Sequence, residues 1–179
     1  MQDYPIGIFD SGIGGLTVAH AIRRVLPNED IIYFGDTEHL PYGEKSKEAI
    51  KSYCRKIITF LIKKKCKAII IACNSASSFA DHDVIKLANQ IPIFNVIDPV
   101  ISEISSQIDN SKIGIIGTKA TITSKIYERK IKEINSNKVI QSLATPLLAP
   151  LIEEGFINES ISSVVISKYL SNQTLDDID

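Results

Sequence analysis

A chain of 179 residues in which 20 Lys and Arg stand against 21 Asp and Glu, for a formal net charge of −1, carries no electrostatic footprint for nucleic acid or an anionic membrane surface. No apolar stretch approaches the ~18 residues of a membrane span and no charged-then-apolar leader follows Met1, so a cytoplasmic protein with a core burying roughly 70% of its unfolded surface is expected. Three cysteines, Cys54, Cys66 and Cys73, form an odd set without a C-x-x-C pair, which argues against a disulfide framework and against a zinc site.

Four apolar runs in the first half read as strands: Ile6 to Phe9, Ile31 to Phe34, Ala68 to Ala72 and Ile93 to Ile97. Their continuity is that of strands covered on both faces. Between them lie helical patterns over Leu16 to Leu26, stopped by Pro27-Asn28, and over Ser46 to Lys65, where Ile50, Tyr53, Cys54, Ile57 and Leu61 make one stripe. A third helix is predicted from Ser77 to Asn89. Strand alternating with helix at this spacing implies right-handed β-α-β units and a parallel sheet.

Asp98-Pro99 marks an internal boundary, followed by a short helix on Val100, Ile101, Ile104 and Ile108 and a fresh strand at Ile113. A helix is then expected over Thr123 to Ile134, a strand over Val139 to Leu143, a proline-punctuated loop over Thr145 to Pro150 and a last helix over Glu159 to Leu170. The segment Ile113-Gly114-Ile115-Ile116-Gly117-Thr118 repeats Ile6-Gly7-Ile8-Phe9-Asp10-Ser11 in weak form. Two similar α/β units are therefore expected, 1–97 and 98–179. The offset that carries Ile6 to Cys73, counted from Ile113, falls one position past Asp179, so the second unit is expected to be incomplete.

Ligands of open parallel sheets sit outside the carboxyl ends of the strands. The polar residues fall there: Asp10-Ser11, Gly35-Asp36 with Pro41-Tyr42-Gly43, Cys73-Asn74-Ser75, and Gly117-Thr118. The glycine-rich loop from Gly12 to Gly15 invites a nucleotide reading, but Thr17 replaces the third glycine of G-x-G-x-x-G and Asp10 would sit beside the pyrophosphate. A small carboxylate held by the same amides fits better. Asp36, after the second strand, keeps the dinucleotide reading open.

Cys73 is the sharpest candidate, because a cysteine where a strand becomes a helix meets the amides of Asn74 and Ser75 and a partial positive charge, which predicts a depressed thiol pKa. Cys54 and Cys66 read as small buried hydrophobes. Of the histidines, His20 and His82 fall within predicted helices, which leaves His39 as the one able to reach the cleft.

Asp10-Ser11-Gly12-Ile13-Gly14-Gly15, Gly35-Asp36 with Pro41-Tyr42-Gly43, and Ala72-Cys73-Asn74-Ser75-Ala76-Ser77 together resemble the bacterial glutamate racemase family. Gly117-Thr118 with Thr121, and Pro150-Leu151-Ile152-Glu153-Glu154-Gly155, extend the resemblance. It implies two pseudo-symmetric parallel-sheet units and a cofactor-independent isomerase, in which two cysteines on opposite faces of glutamate exchange its α-proton and supply D-glutamate for peptidoglycan. By the same resemblance Cys73 is the first cysteine, Asp10 the carboxylate beside it and Glu153 the acid serving the second. Asp10, Ser11, Pro41, Tyr42, Gly43, Asn74, Ser75, Thr118 and Thr121 match substrate-binding positions.

Two departures stand out: Ser75 replaces the family's usual threonine, and the Gly-Cys-Thr-His motif of the second cysteine is absent from these 179 residues. The expectation is thus a glutamate racemase chain shortened at its C-terminus. The alternatives are a non-catalytic remnant or half-site, or a nucleotide-binding α/β enzyme. No metal or organic cofactor is called for, glutamate is the expected partner, neither nucleic acid nor membrane is, and a homodimer stays open.

Overall fold

The computed structural model describes residues 4–80, 82–106, 112–156 and 159–171, together with residues 175 and 178. The chain divides into two compact units, Met1–Ile97 and Asp98–Asp179.

The first unit is a four-stranded parallel sheet, β1 (Ile6–Asp10), β2 (Ile31–Gly35), β3 (Ala68–Ile71) and β4 (Ile93–Asn95), in the order β2-β1-β3-β4. All five residues of β1 are buried, as a continuous apolar run at the centre of a sheet should be. The outer strands are not covered on both faces as expected, since β2 is half-buried throughout and Phe94 of β4 is exposed. α1 (Leu16–Val25) packs Val18, Ala19 and Ile22 against Ile6, Ile8 and Ala72. α2 (Lys47–Lys63) buries Ile50, Cys54, Ile57, Ile58 and Leu61 along one stripe, and its Ser46 N-cap accepts a hydrogen bond from the Ala49 amide at 3.2 Å.

The helix expected over Ser77 to Asn89 differs from what forms. α3 (Asn74–Phe79) begins directly after β3, α4 (His82–Ile85) follows, and a 3-10 turn at Lys86–Ala88 ends on Asn89 at φ 52°. The start moves forward because Cys73 itself serves as the N-cap.

In the second unit β5 (Ile113–Gly117) pairs in parallel with β6 (Ile140–Ala144). α5 (Ile97–Ser106) carries Asp98-Pro99 inside its first turn, where the missing proline N–H has no helical partner to lose. Ile108, expected on this helix, lies outside the described residues. The single helix expected over Thr123 to Ile134 is two, α6 (Lys119–Ser124) and α7 (Ile126–Ile134), with Lys125 left-handed at φ 53° between them. The Ser124 hydroxyl promotes the break, donating to the Thr121 carbonyl at 2.6 Å while accepting from the Ile126 amide at 3.2 Å.

The proline-punctuated loop also departs from expectation. α8 (Leu148–Glu153) starts within it, and Pro150 sits in the first turn, where proline is tolerated. α9 (Glu159–Leu170) has the predicted bounds. No described helix is long and apolar enough to cross a membrane.

Candidate active site

β1 and β3 are neighbours in parallel register, Phe9 beside Ile71, and the Ala72 amide donates to the Phe9 carbonyl at 2.8 Å. Asp10 and Cys73 therefore leave the sheet side by side at its carboxyl edge. The Cys73 thiol caps α3, accepting from the Ala76 amide at 3.4 Å, and donates to the Ser11 hydroxyl at 3.5 Å. The amide that meets the sulfur is that of Ala76, in the same first turn as Asn74 and Ser75.

The thiol pKa runs against expectation. Burial and then the Asp10 charge push Cys73 up to about 11, outweighing the Ser11 hydroxyl and the Ala76 and Ser11 amides that favour the thiolate. One helical turn's worth of amides does not offset a side chain only 6% exposed beside a carboxylate. Burial drives Cys54 to about 12 and raises Cys66 too. Both are core residues, Cys54 on the buried stripe of α2 and Cys66 at the turn into β3.

The glycine-rich loop does hold an anion, and the anion is the chain's own. Asp10 Oδ2 accepts from the Gly12 amide at 3.2 Å and from the Gly15 amide at 2.9 Å. These two donors are thus engaged, which corrects the expectation that they would receive a ligand carboxylate and removes them from a phosphate cradle. The approach needs glycine: a Cβ on Gly15 would lie 2.6 Å from Asp10 Cβ and 3.0 Å from the Tyr33 hydroxyl.

Tyr33 closes the loop from β2 by donating to the Gly12 carbonyl at 3.0 Å. Burial, with the Asp10 and Cys73 charges, pushes its phenol up to about 12. In the sequence Tyr33 reads only as part of a strand, and a hydroxyl in an otherwise apolar run, two residues before Gly35, is the signal that marks it.

Beyond β2, the buried Asp36 donates its amide to the Asp10 carbonyl at 3.0 Å. Its carboxylate takes His39 Nδ1 at 2.8 Å on Oδ1 and the Tyr42 hydroxyl at 2.5 Å on Oδ2. Pro41, after a cis peptide, leads into a 3-10 turn, Tyr42–Glu44, in which Tyr42 and Gly43 are buried. Tyr42 is raised well above the usual phenol range by burial and by Asp36. His39, the histidine expected to serve the cleft, is engaged by Asp36 and stacks on Tyr53 with ring centroids 4.1 Å apart. His20 lies on α1 and His82 on α4. Asn74 is exposed at the start of α3 and Ser75 is buried behind it.

The first-unit candidates thus converge on one sheet edge. Those of the second unit belong to their own strand end, where Thr118 caps α6 by accepting from the Thr121 amide at 3.3 Å and donates to the buried Thr121 hydroxyl at 3.0 Å. Glu153 is the last residue of α8 and is half-buried. Among the described residues no three His, Cys, Asp or Glu side chains gather as metal ligands would.

A family model described as Asp/Glu/Hydantoin racemase matches residues 16–165. The chain belongs to that family. Within this racemase family it is 42% identical over 179 residues to glutamate racemase 3 of Caldanaerobacter subterraneus, covering 98% of this chain and 64% of that protein. It is 40% identical over 175 residues to glutamate racemase of Neisseria meningitidis, with 98% and 65% covered. The crystal structure of Francisella tularensis glutamate racemase in complex with D-glutamate superposes with a TM-score of 0.91 at 43% identity, over 96% of this chain and 64% of that one. The chain therefore spans less than two thirds of the length of these racemases.

Proposed function

We propose that this chain provides the first-cysteine side of a cofactor-independent glutamate racemase that interconverts L- and D-glutamate, D-glutamate being the peptidoglycan building block. The observation that carries the proposal is the Cys73 thiol, held between the Ser11 hydroxyl and the Ala76 amide beside a carboxylate on the neighbouring strand. In a family of Asp/Glu/Hydantoin racemases, a thiol so placed can pass a proton to or from a substrate carbon.

At neutral pH the Cys73 thiol, raised to about 11, rests protonated. It is a ready acid toward a carbanion. For it to act as a base, something must offset burial and the Asp10 charge; a substrate α-ammonium drawn to Asp10 would do so, since an opposite charge nearby favours the thiolate. The Cα proton then passes to Sγ, and the carbanion must be stabilised by hydrogen bonds from the site. Inversion needs an acid on the other face of Cα. Cys54 and Cys66 are core residues of the same unit as Cys73 and do not supply it.

Ser11, Pro41, Tyr42, Gly43, Asn74 and Ser75 belong to the substrate side of this reading, and Thr118, Thr121 and Glu153 to the second unit's share of it. A cytoplasmic location and a homodimeric assembly are parts of the same proposal. The half-site reading differs only in leaving inversion incomplete. The nucleotide-binding reading is disfavoured by the engagement of the Gly12 and Gly15 amides with Asp10 and of the Asp36 carboxylate with Tyr42 and His39.

The test is protection of Cys73 from iodoacetamide, followed by peptide mass spectrometry. Glutamate should slow alkylation at Cys73, while NAD and ATP leave it unchanged. Protection by a nucleotide and not by glutamate would overturn the reading.

A further inference from the structure

Asp36, one of the polar residues that follow β2, is tied both to β1 and to the loop after it. Its amide is fixed to the Asp10 carbonyl, and its two carboxylate oxygens take two different side chains of the following loop. The Thr37 amide reaches the Gly35 carbonyl at 3.0 Å and the His39 amide the Asp36 carbonyl at 3.3 Å, and the Lys45 amide closes the 3-10 turn on the Tyr42 carbonyl at 3.1 Å. Glu38 and Leu40 are exposed. Tyr53 of α2 backs both rings, its centroid 4.1 Å from His39 and 5.4 Å from Tyr42. The turn itself packs against α3, the helix that Cys73 caps.

We propose that Asp36 is a positioning residue: its carboxylate locks the Tyr42–Glu44 turn against α3, leaving the backbone N–H groups of Tyr42 and Gly43, rather than the Tyr42 phenol, for the ligand of the Cys73 site. The phenol hydroxyl has its partner inside the protein and is not available to a substrate. A carboxylate accepts only, so it also selects the His39 tautomer with the proton on Nδ1. Removing the carboxylate leaves a buried phenol hydroxyl without its acceptor, a loss that loosens the turn by about tenfold or more in its opening equilibrium. The ligand part of this inference rests on the glutamate reading above.

Two measurements on the whole chain separate the lock from that reading. The first, without ligand, is hydrogen exchange of the Lys45 amide, with the Ile8 and Ile71 amides as a check that the sheet is intact. Asp36→Ala should speed Lys45 exchange by about tenfold or more and Tyr42→Phe by severalfold, leaving the strand amides protected. Asp36→Asn should restore protection to within about threefold of wild type, because its oxygen still accepts from Tyr42 and its amide nitrogen donates to His39 Nδ1 in the other tautomer. The second is titration with D-glutamate, in which Asp36→Ala should weaken affinity about tenfold and Asp36→Asn should recover it, a rescue that lost packing alone would not give. Unchanged Lys45 exchange in Asp36→Ala overturns the lock. Faster Lys45 exchange with unchanged glutamate affinity overturns the positioning role, and a wild-type chain that ignores D-glutamate while Lys45 responds overturns the substrate reading and leaves the lock standing.

Discussion

Asp10 and Gly15 are fastened together across the first turn of the chain: the Gly15 amide donates to Asp10 Oδ2 at 2.9 Å, and no Cβ fits between the two residues. A carboxylate that would otherwise swing is fixed beside the Cys73 sulfur, and position 15 of the loop that fixes it is glycine for that reason. Gly15→Ala should therefore destabilise the first unit by about 1–3 kcal/mol through overpacking. Gly14→Ala should be close to neutral, since its Cβ would meet Asp10 Oδ2 at an ordinary 3.7 Å. Urea unfolding of the two variants makes the comparison, and equal losses would contradict the account of the loop.

After burial, the Asp10 charge is the next cause that holds the Cys73 thiol protonated. Asp10→Asn should lower the thiol pKa and raise the iodoacetamide rate at Cys73 severalfold at pH 8, whereas Ser11→Ala, which removes a partner of the thiolate, should slow it. Rates read peptide by peptide against pH check both signs. Cys54, fully buried, should label more slowly than Cys73 in every variant.

Much of the fold was legible because the strongest signals were local. The stripe of α2 and the apolar run of β1 each announce themselves within a few residues, and α9 has the bounds its pattern implies. The placement of Cys73 at a strand end beside Asp10 followed from the same alternation. What the sequence concealed depends on which way single side chains turn and on contacts between distant residues. The break at Lys125 rests on Ser124 turning its hydroxyl to its own backbone, and α8 accommodates Pro150 only because the helix happens to start two residues earlier. The raised Cys73 pKa could not be read locally either, since a helix start is visible in sequence but burial and the aim of the Asp10 carboxylate are not.

Alkaline pH should weaken the first unit. Cys73 ionises near 9.0 when exposed and near 11 in the fold, so the folded state holds its proton more tightly. Its contribution is fully present below pH 9 and is lost as pH rises through 11, with Cys54 and Tyr33 acting in the same direction up to about 12. For Cys73 alone the difference amounts to about 2–3 kcal/mol. Unfolding free energies measured from pH 8 to pH 11 should fall for the wild type and fall less for Cys73→Ala.

Thr118 has a structural duty that is separable from any contact with substrate. Thr118→Ala removes the N-cap of α6 and should cost about 1 kcal/mol, while Thr118→Ser keeps the oxygen and should cost less than half of that. Thermal unfolding of the two variants distinguishes them.

Exchange of the α-proton of glutamate at Cys73 is measured most directly by incubating the 179-residue chain with L-glutamate and with D-glutamate in deuterium oxide. Among the described residues Cys73 is the thiol at the carboxyl edge of the first unit's sheet, so deuterium should enter Cα of one enantiomer, with retention of configuration, and Cys73→Ala should abolish the incorporation. No deuterium in either enantiomer, or incorporation that survives Cys73→Ala, would contradict the assignment.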